Sequence, residues 1–393
     1  MNHGVGAAGK IARFFIDSKL TPLIIVASML LGLGALYGLP REEEPQIIVP
    51  MIDIFVSMPG ANAKEVEERA TRPMEQLLWE IPGVEYIYST SSPGMSMTIV
   101  RFYVGEDEEK SIVRLQSKLL ANYDRIPKGV SPPLIKPRYI DDVPILCLTF
   151  WSDAADHYML RRVAAEMENV VKRGDNVSVT TLTGGYRRQV QVRLDPARMA
   201  GFHLDPGTIA RILPAANEES KDGSYPSPEG EIVLHTTGFL RNAVDVGRIV
   251  VGTYGGRPVY LQEVAQITDG PEEPDQYVFL GSGPAASEKK IPGLTTREGI
   301  YPAVTLAVAK RKGANAITVA EEILKQVEAY RRIIIPDNIQ VTVTRNYGET
   351  AEEKSNELLF HMFIAVFSVT ILIGLALGRR EAGVVALAIP VTL

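Results

Sequence analysis

Two apolar stretches of 20 residues each fix the plan of this chain before anything else is read. Leu20–Leu39, LTPLIIVASMLLGLGALYGL, has no charge, and Leu358–Leu377, LLFHMFIAVFSVTILIGLAL, carries only His361. As helices rising about 1.5 Å per residue, each reaches about 30 Å, the depth of a bilayer's hydrocarbon core. A secretory signal is the competing reading of the first. Its apolar core is too long for that, and no small-residue cleavage pattern follows. A third apolar run from Ala382, AGVVALAIPVTL, has 12 residues and is too short to span. The sequence therefore reads as a piece of a longer membrane protein.

The flanking charges orient the spans. Lys10, Arg13 and Lys19 precede the first, and Arg379 and Arg380 follow the second. By the positive-inside bias both sets lie in the cytoplasm, and residues from about Arg41 to Asn356 lie outside. A net charge of −6 argues against a nucleic-acid partner. Cys147 is the one cysteine, so no internal disulfide framework holds the external region.

About 315 residues between the spans are too many for a connection and must fold. Ile47–Met58 predicts a strand. The next segment, GANAKEVEERATRPMEQLLWEIPG, predicts a helix burying Val66, Ala70, Met74, Leu77, Leu78 and Ile81 at helical spacing. Pro73 within it predicts a kink or break, because it removes a backbone donor. Val84–Ser92 and Ser96–Val104 predict a hairpin turned by SPG. A second helix over about Asp107–Arg125 buries Ile112, Leu115, Leu119 and Tyr123, and a strand follows near Leu134–Ile140. The order strand–helix–strand–strand–helix–strand is the split ferredoxin-like unit.

The pattern then restarts with a strand at Val143–Trp151, a helix at Asp156–Arg173 and a strand at Val177–Thr183. Its second half is delayed to Tyr301–Lys310, Ala316–Arg332 and Ile339–Arg345. Between them Gly184–Gln276 is rich in glycine, proline and short strands. A helix over Pro206–Asn217 is expected there, with Asp205 as its cap and Pro206 in the first helical position. Gly281–Gly299 has the composition of a surface loop. The expected fold is thus membrane α-helical plus α+β.

Local sequences along the whole chain resemble the N-terminal half of a resistance-nodulation-division (RND) efflux transporter. They are FFIDSKLTPLII and LPREEEPQI around the first span, and PGANAKEVEERATRPMEQLLWEIPGV in the first unit. VQVRLDPARMAGFHLDPGTIARIL, KGANAITVAEEIL and LGRREAGVVALAIPVTL follow in the family's order. The chain is accordingly identified as an N-terminal portion of an RND permease of the hydrophobe/amphiphile, acriflavine-resistance branch. The resemblance implies a tail and first span over residues 1–40, and a first porter subdomain over 41–137. A second porter subdomain is divided between 138–183 and 277–345, with a docking insertion at 184–276. Linker and second span occupy 346–378, and a cytoplasmic turn with part of a third span occupies 379–393. It implies no enzymatic activity and no cofactor: the proton gradient is the energy source, through relay residues in spans that this chain does not include. The implied setting is a homotrimer in the bacterial inner membrane, working with a periplasmic adaptor protein and an outer-membrane channel.

Several constellations invite chemistry, and each has a plainer explanation. Glu42, Glu43 and Glu44 have no histidine or second acidic cluster at ligand spacing, and they read as a solvated membrane exit. Met95 and Met97 have the M-x-M spacing of soft-metal sites and share one strand face; packing at a hairpin is the alternative. They carry the second cargo reading, heavy-metal cations. His361 lies near the outer end of its span. His3, His157, His203 and His235 are scattered without ligand spacing, so no metal site is proposed. By resemblance, Ile145 and Cys147 fall where drug exporters line their deep pocket. With Thr149 they alternate along one strand, and that face could equally be core beneath the helices. The stretch is poor in phenylalanine, and the strand after it ends in Gly184 and Gly185. GLGALYG at Gly32–Gly38 lies inside a span and lacks the strand a phosphate loop needs; its small residues suit helix packing. No G-x-S-x-G, H-E-x-x-H or P-loop lysine occurs. A two-span receptor for an external ligand is the alternative from another class. GRREAGVV, turning straight back into apolar sequence, argues against it.

Overall fold

The computed structural model describes residues 14–16, 18–38, 41–42, 47–227, 230–283 and 299–392. Glu43, Glu44 and most of the expected loop at Gly281–Gly299 lie outside the described residues, as does His3. After a helical turn at residues 14–16 comes helix α1 (Thr21–Gly38), whose apolar side chains project outward around most of its circumference.

The first α/β unit begins with β1 (Met51–Ser57), then helix α2 (residues 63–79), β2 (Val84–Ser92), β3 (Met95–Phe102), α3 (Glu108–Ala121) and β4 (Leu134–Arg138). The strands are all antiparallel in the order β2-β3-β1-β4. That is the arrangement the split unit requires. Strand alternation sends Ile52, Ile54, Val56, Val100 and Phe102 to one face, where α2 and α3 cover them with Ala70, Met74, Leu78, Leu115 and Leu119. Tyr123, expected inside, is half exposed in a short 3-10 turn beyond α3.

The break expected at Pro73 is found as an interruption of the α-helical winding just before it, with a fresh α-helical segment starting at Arg72. Glu67–Thr71 is wound as one π turn, with the Arg72 amide donating to the Glu67 carbonyl. The wider turn absorbs the conflict between the proline ring and the carbonyl four residues back. The Thr71 hydroxyl, turned inward there, lies 2.7 Å from Ser96 Oγ and 2.8 Å from Ser91 Oγ, tying α2 to the hairpin.

The second unit starts with β5 (Leu146–Trp151), α4 (His157–Val171) and β6 (Val177–Thr183). An insertion follows. It comprises β7 (Arg188–Leu194), α5 (Pro196–Gly201), α6 (Pro206–Ala215), β8 (Glu219–Ser227), β9 (Gly230–Thr237), α7 (Ala243–Gly247), β10 (Val250–Tyr254), β11 (Arg257–Tyr260), α8 (Leu261–Val264) and β12 (Ala265–Pro271). Its core gathers Met199, Ile209, Val251, Val259, Leu261 and Val264. Asp205 caps α6 by accepting from the Thr208 amide. Antiparallel β7 and β12 form the stalk of the insertion.

The unit is then completed by β13 (Phe279–Gly281), β14 (Ile300–Lys310), α9 (Ala316–Ile334) and β15 (Gln340–Asn346). β5 lies between β14 and β15, and β14 also pairs with β6 and β13. Helices α4 and α9 pack on one face of this sheet over Leu146, Leu148, Phe150, Val304, Leu306 and Val308. At the root of the stalk Gly184 (φ +83°) and Gly185 (φ +71°) turn the chain. A Cβ on Gly185 would stand 2.6 Å from Arg161 Cβ, so no larger residue fits.

β15 runs without a break into α10 (Tyr347–Ala376), capped by the Asn346 side chain on the Glu349 amide. At about 1.5 Å per residue its 30 residues reach about 45 Å. Among the described residues it is the one helix long and apolar enough to cross a membrane. The charged first third of α10 rests on α9. The apolar run expected from Leu358 is thus the far part of a longer rod. α11 (Arg379–Thr392) folds back against α10 and touches α1.

Candidate functional site

The two faces of the second sheet differ sharply. Leu146, Leu148 and Phe150 turn toward α4 and α9 and are fully buried. Cys147, Thr149 and Trp151 alternate with them and take the opposite face, on which no helix packs among the described residues. Cross-strand register adds Ala303, Thr305 and Ala307 of β14 to this open face, and Thr181 and Thr183 of β6 behind them.

Hydroxyls organise its centre. Thr149 Oγ1 lies 3.0 Å from Thr305 Oγ1 and 2.9 Å from Thr344 Oγ1, and Trp151 Nε1 donates to Thr342 Oγ1 over 3.0 Å. Thr342 and Thr344 share this side by ordinary alternation, and a bulge between Val343 and Arg345 makes Thr344 the extra residue and sets Arg345 opposite Cys147. One end of the face is apolar, where Trp151 and Tyr301 meet with ring centroids 4.9 Å apart beside Ala303, Val278 and Leu280. At the other end Arg345 faces Cys147, its guanidinium 4.9 Å from the Tyr347 ring. Trp151, Ala303, Thr149 and Thr342 are buried on this side, so what reaches solvent is half-buried Tyr301, Thr305, Ala307 and Cys147 with exposed Thr344 and Arg345. Such a surface can take a molecule with an apolar body and polar or anionic substituents. Cys147 is a half-buried free thiol; burial pushes its pKa up, and the Arg345 charge opposes that rise only in part.

Ile145 does not belong here. It precedes β5 and is buried in the helix-side core, with its amide donating to the Val308 carbonyl and its carbonyl accepting from the Tyr347 amide. The expectation that Ile145, Cys147 and Thr149 share one face is corrected: Ile145 is core, while Cys147 and Thr149 sit together on the open side. The reading of that face as core beneath the helices is corrected in part: the helices cover the alternate residues, while Thr149 is buried on the other side and Cys147 half-buried.

Met95 and Met97 do share the open face of the first sheet, opposite Ser57 and Phe55 on β1. Among the described residues no three His, Cys, Asp or Glu side chains group as metal ligands would. His361 projects outward from the apolar part of α10. His157, unremarkable in sequence, starts α4 and is buried against Tyr186 and Phe279, at ring-centroid distances of 5.1 and 5.3 Å. Its ring joins the second sheet to the root of the insertion.

Glu42 overturns a further expectation. Rather than lying solvated at a membrane exit, its Oε1 is 2.8 Å from Nζ of Lys310, the buried last residue of β14. Sequence patterns give no sign of that pairing.

A sequence profile of the AcrB/AcrD/AcrF family matches residues 11–393, nearly the entire chain. The chain belongs to the AcrB/AcrD/AcrF family. It is also similar to the multidrug resistance protein MdtC of Yersinia pseudotuberculosis serotype O:1b (strain IP 31758) and of Yersinia pestis bv. Antiqua (strain Angola). Each is 26% identical over 385 residues, covering 97% of this chain and 36% of the relative. The chain thus spans about a third of the length of these curated relatives, and it is RND-permease sequence throughout the matched region. Membership displaces the two-span receptor alternative.

Proposed function

We propose that this AcrB/AcrD/AcrF-family chain is the N-terminal part of a proton-driven permease that exports hydrophobic and amphiphilic compounds. The two split units are its porter subdomains, the insertion over 184–276 is its docking domain, and α1 and α10 are spans in a bacterial inner membrane. Residues of about 41–356 stand in the periplasm. The assembled pump is a homotrimer joined to a periplasmic adaptor and an outer-membrane channel, and the proton gradient drives it. The observation that carries the reading is the family match along the whole chain, which includes the two units, the insertion and the apolar helices in sequence.

The open face of the second sheet is the surface that meets cargo. Cys147, Thr305 and Thr344 supply it with small polar groups and Tyr301 gives it one aromatic end, over a buried layer of Thr149 and Trp151. Cargo with a compact apolar part and several hydrogen-bonding groups suits this face better than a flat polyaromatic molecule, for which few rings are available to stack.

The test is accumulation of an amphiphilic dye in an efflux-deficient bacterium expressing the full-length permease with its adaptor and channel. The expected result is lower dye accumulation than in vector controls, abolished by a protonophore. Accumulation equal to the vector control contradicts the transporter reading. Efflux that survives the protonophore contradicts proton coupling.

A further inference from the structure

We infer that Glu42 and Lys310 are a positioning pair that fixes the outer end of α1 to the second unit rather than to the first. The inference rests on the transporter reading above. By chain connectivity α1 leads into β1, so the first unit is the one α1 would be expected to follow. From Ile48 onward the chain does bond to the first unit, the Ile48 and Pro50 carbonyls accepting from the Gly105 and Phe102 amides, but the residues nearest α1 reach the second. Glu42 Oε1 lies 2.8 Å from Lys310 Nζ, and the Arg41 carbonyl accepts from the Ala316 amide over 3.3 Å. Ala316 is the first residue of α9, so the Arg41 carbonyl satisfies one of the amides that a helix start leaves without an internal partner. Asn315 satisfies the neighbouring one, on Ile317.

Lys310 is an unusual residue for its place. It continues the series Val304, Leu306 and Val308 that β14 directs toward the helices, and it is 5% exposed. An ammonium there is costly unless paired, and Glu42, 268 residues away in sequence, is the carboxylate that pairs with it. The main chain around it is pinned too: Ser178 Oγ donates to the Lys310 carbonyl, and the Arg311 amide donates to Asn176.

The start of α10 grips the same corner. A Cβ on Gly348 would stand 2.9 Å from the Ala316 carbonyl oxygen and 3.0 Å from Ala320 Cβ, and Ala351 one turn on is buried. The outer end of α1 and the first turn of α10 therefore both seat on the first turn of α9, one through an ion pair and a cap, the other through close packing. With this joint closed, α1, α9, α10 and the second sheet form one body. Movement of the spans then reaches the open face of that sheet without passing through the first unit. Both spans engage one element, the first turn of α9, which gives their coupling to the sheet a contiguous physical route.

The pair is tested in the full-length permease with its adaptor and channel, by measuring efflux rate against substrate concentration and normalising to the amount in the membrane. The variants are Glu42→Gln, Lys310→Met and the double neutral Glu42→Gln/Lys310→Met. Each single change is expected to lower the maximal rate at least fivefold with the half-saturating concentration unchanged. The double variant leaves no unpaired buried charge, so its membrane level should return to that of the wild type while its maximal rate stays low. That combination separates a joint from a merely stabilising contact. A double variant transporting at the wild-type maximal rate overturns the inference, and so do single variants that alter only the half-saturating concentration. If the singles fail to reach the membrane, the double variant alone decides. A wild-type permease with no efflux above vector overturns the transporter reading itself, and the joint's role with it.

Discussion

At the scale of single residues, position along β5 decides role more than residue type does. Leu148 and Thr149 are neighbours, yet one is fully buried in the helix-side core and the other is the hub of a hydroxyl network on the open face. Leu148→Ala should cost about 2–5 kcal/mol in unfolding free energy, through lost burial and the cavity left behind. Thr149→Val should cost only about 1 kcal/mol, the worth of a hydrogen bond, while altering transport of cargo with hydrogen-bonding groups. Thermal unfolding of the purified permease beside substrate-dependent efflux checks the contrast. Cys147 gives a second residue-scale outcome. Its thiol is held above the ordinary range chiefly by burial, with Arg345 pulling it down. Maleimide labelling should therefore be slow at neutral pH and accelerate as pH rises. In Arg345→Ala the opposing charge is gone, the pKa climbs further, and labelling at a given pH should slow. Faster labelling in that variant would contradict the electrostatic account.

At the scale of elements, alternation and helical spacing were enough to place most strands and helices. They work where one face of an element is buried and the other is not. Val177–Thr183 and the run from Ala316 onward fall as the pattern predicts, and so does the capped start at Asp205; Asp156, read as the first residue of its helix, is instead its cap. What the pattern missed has identifiable causes. Pro73 does interrupt the α-helical winding of α2, but the form of the interruption, one π turn that sets Thr71 against Ser91 and Ser96, is not legible locally. Ile145 was grouped with Cys147 by simple alternation, but β5 begins one residue later and Ile145 turns into the helix-side core. The Thr149 contacts join residues 156 and 195 positions apart, and Glu42 reaches Lys310 over 268. No local periodicity carries such pairings.

Two element-scale outcomes follow from the root of the insertion. Gly185→Ala should destabilise the second unit by about 1–2 kcal/mol for the left-handed backbone alone, with the overlap on Arg161 added. A lowered unfolding temperature, against little change for Gly201→Ala in open space, would show it. In the stalk, a hydrogen bond and charge from Arg188 hold the Asp269 carboxyl below its ordinary value of 3.8. A depressed folded pKa means this contact stabilises above that value and is lost as pH falls through the folded one. Protection of the β7 and β12 amides, taken relative to intrinsic exchange at the same pH, should therefore fall in strong acid, and Asp269→Asn should remove that dependence. Acid-insensitive protection in the wild type would contradict it.

At the scale of the whole molecule, two α/β units of one plan differ in what they hold. The first carries the hairpin with Met95 and Met97. The second carries the insertion, a hydroxyl-rich open face and the direct run into α10. β15 passes into α10 at Asn346 with no intervening loop, so any tilt of that helix is delivered to the strand beside Cys147 and Thr149. The outer end of α1 is tied to the same corner through Glu42. The second sheet is thus attached directly to the apolar helices, with Cys147 and Thr149 on the face away from its own helices. Two glycines and an aromatic cluster around His157 meanwhile join it to the insertion.

The claim that most needs testing is that this open face meets the transported molecule, and Cys147 reports on it directly. In the full-length permease, thiol labelling of Cys147 is followed with rising concentrations of an exported amphiphile, with a cysteine placed at exposed Leu120 of α3 as the control. The account predicts that cargo slows labelling of Cys147 with the same half-saturating concentration as efflux and leaves the position-120 thiol unchanged. Labelling of Cys147 that is indifferent to a compound the permease exports would contradict it.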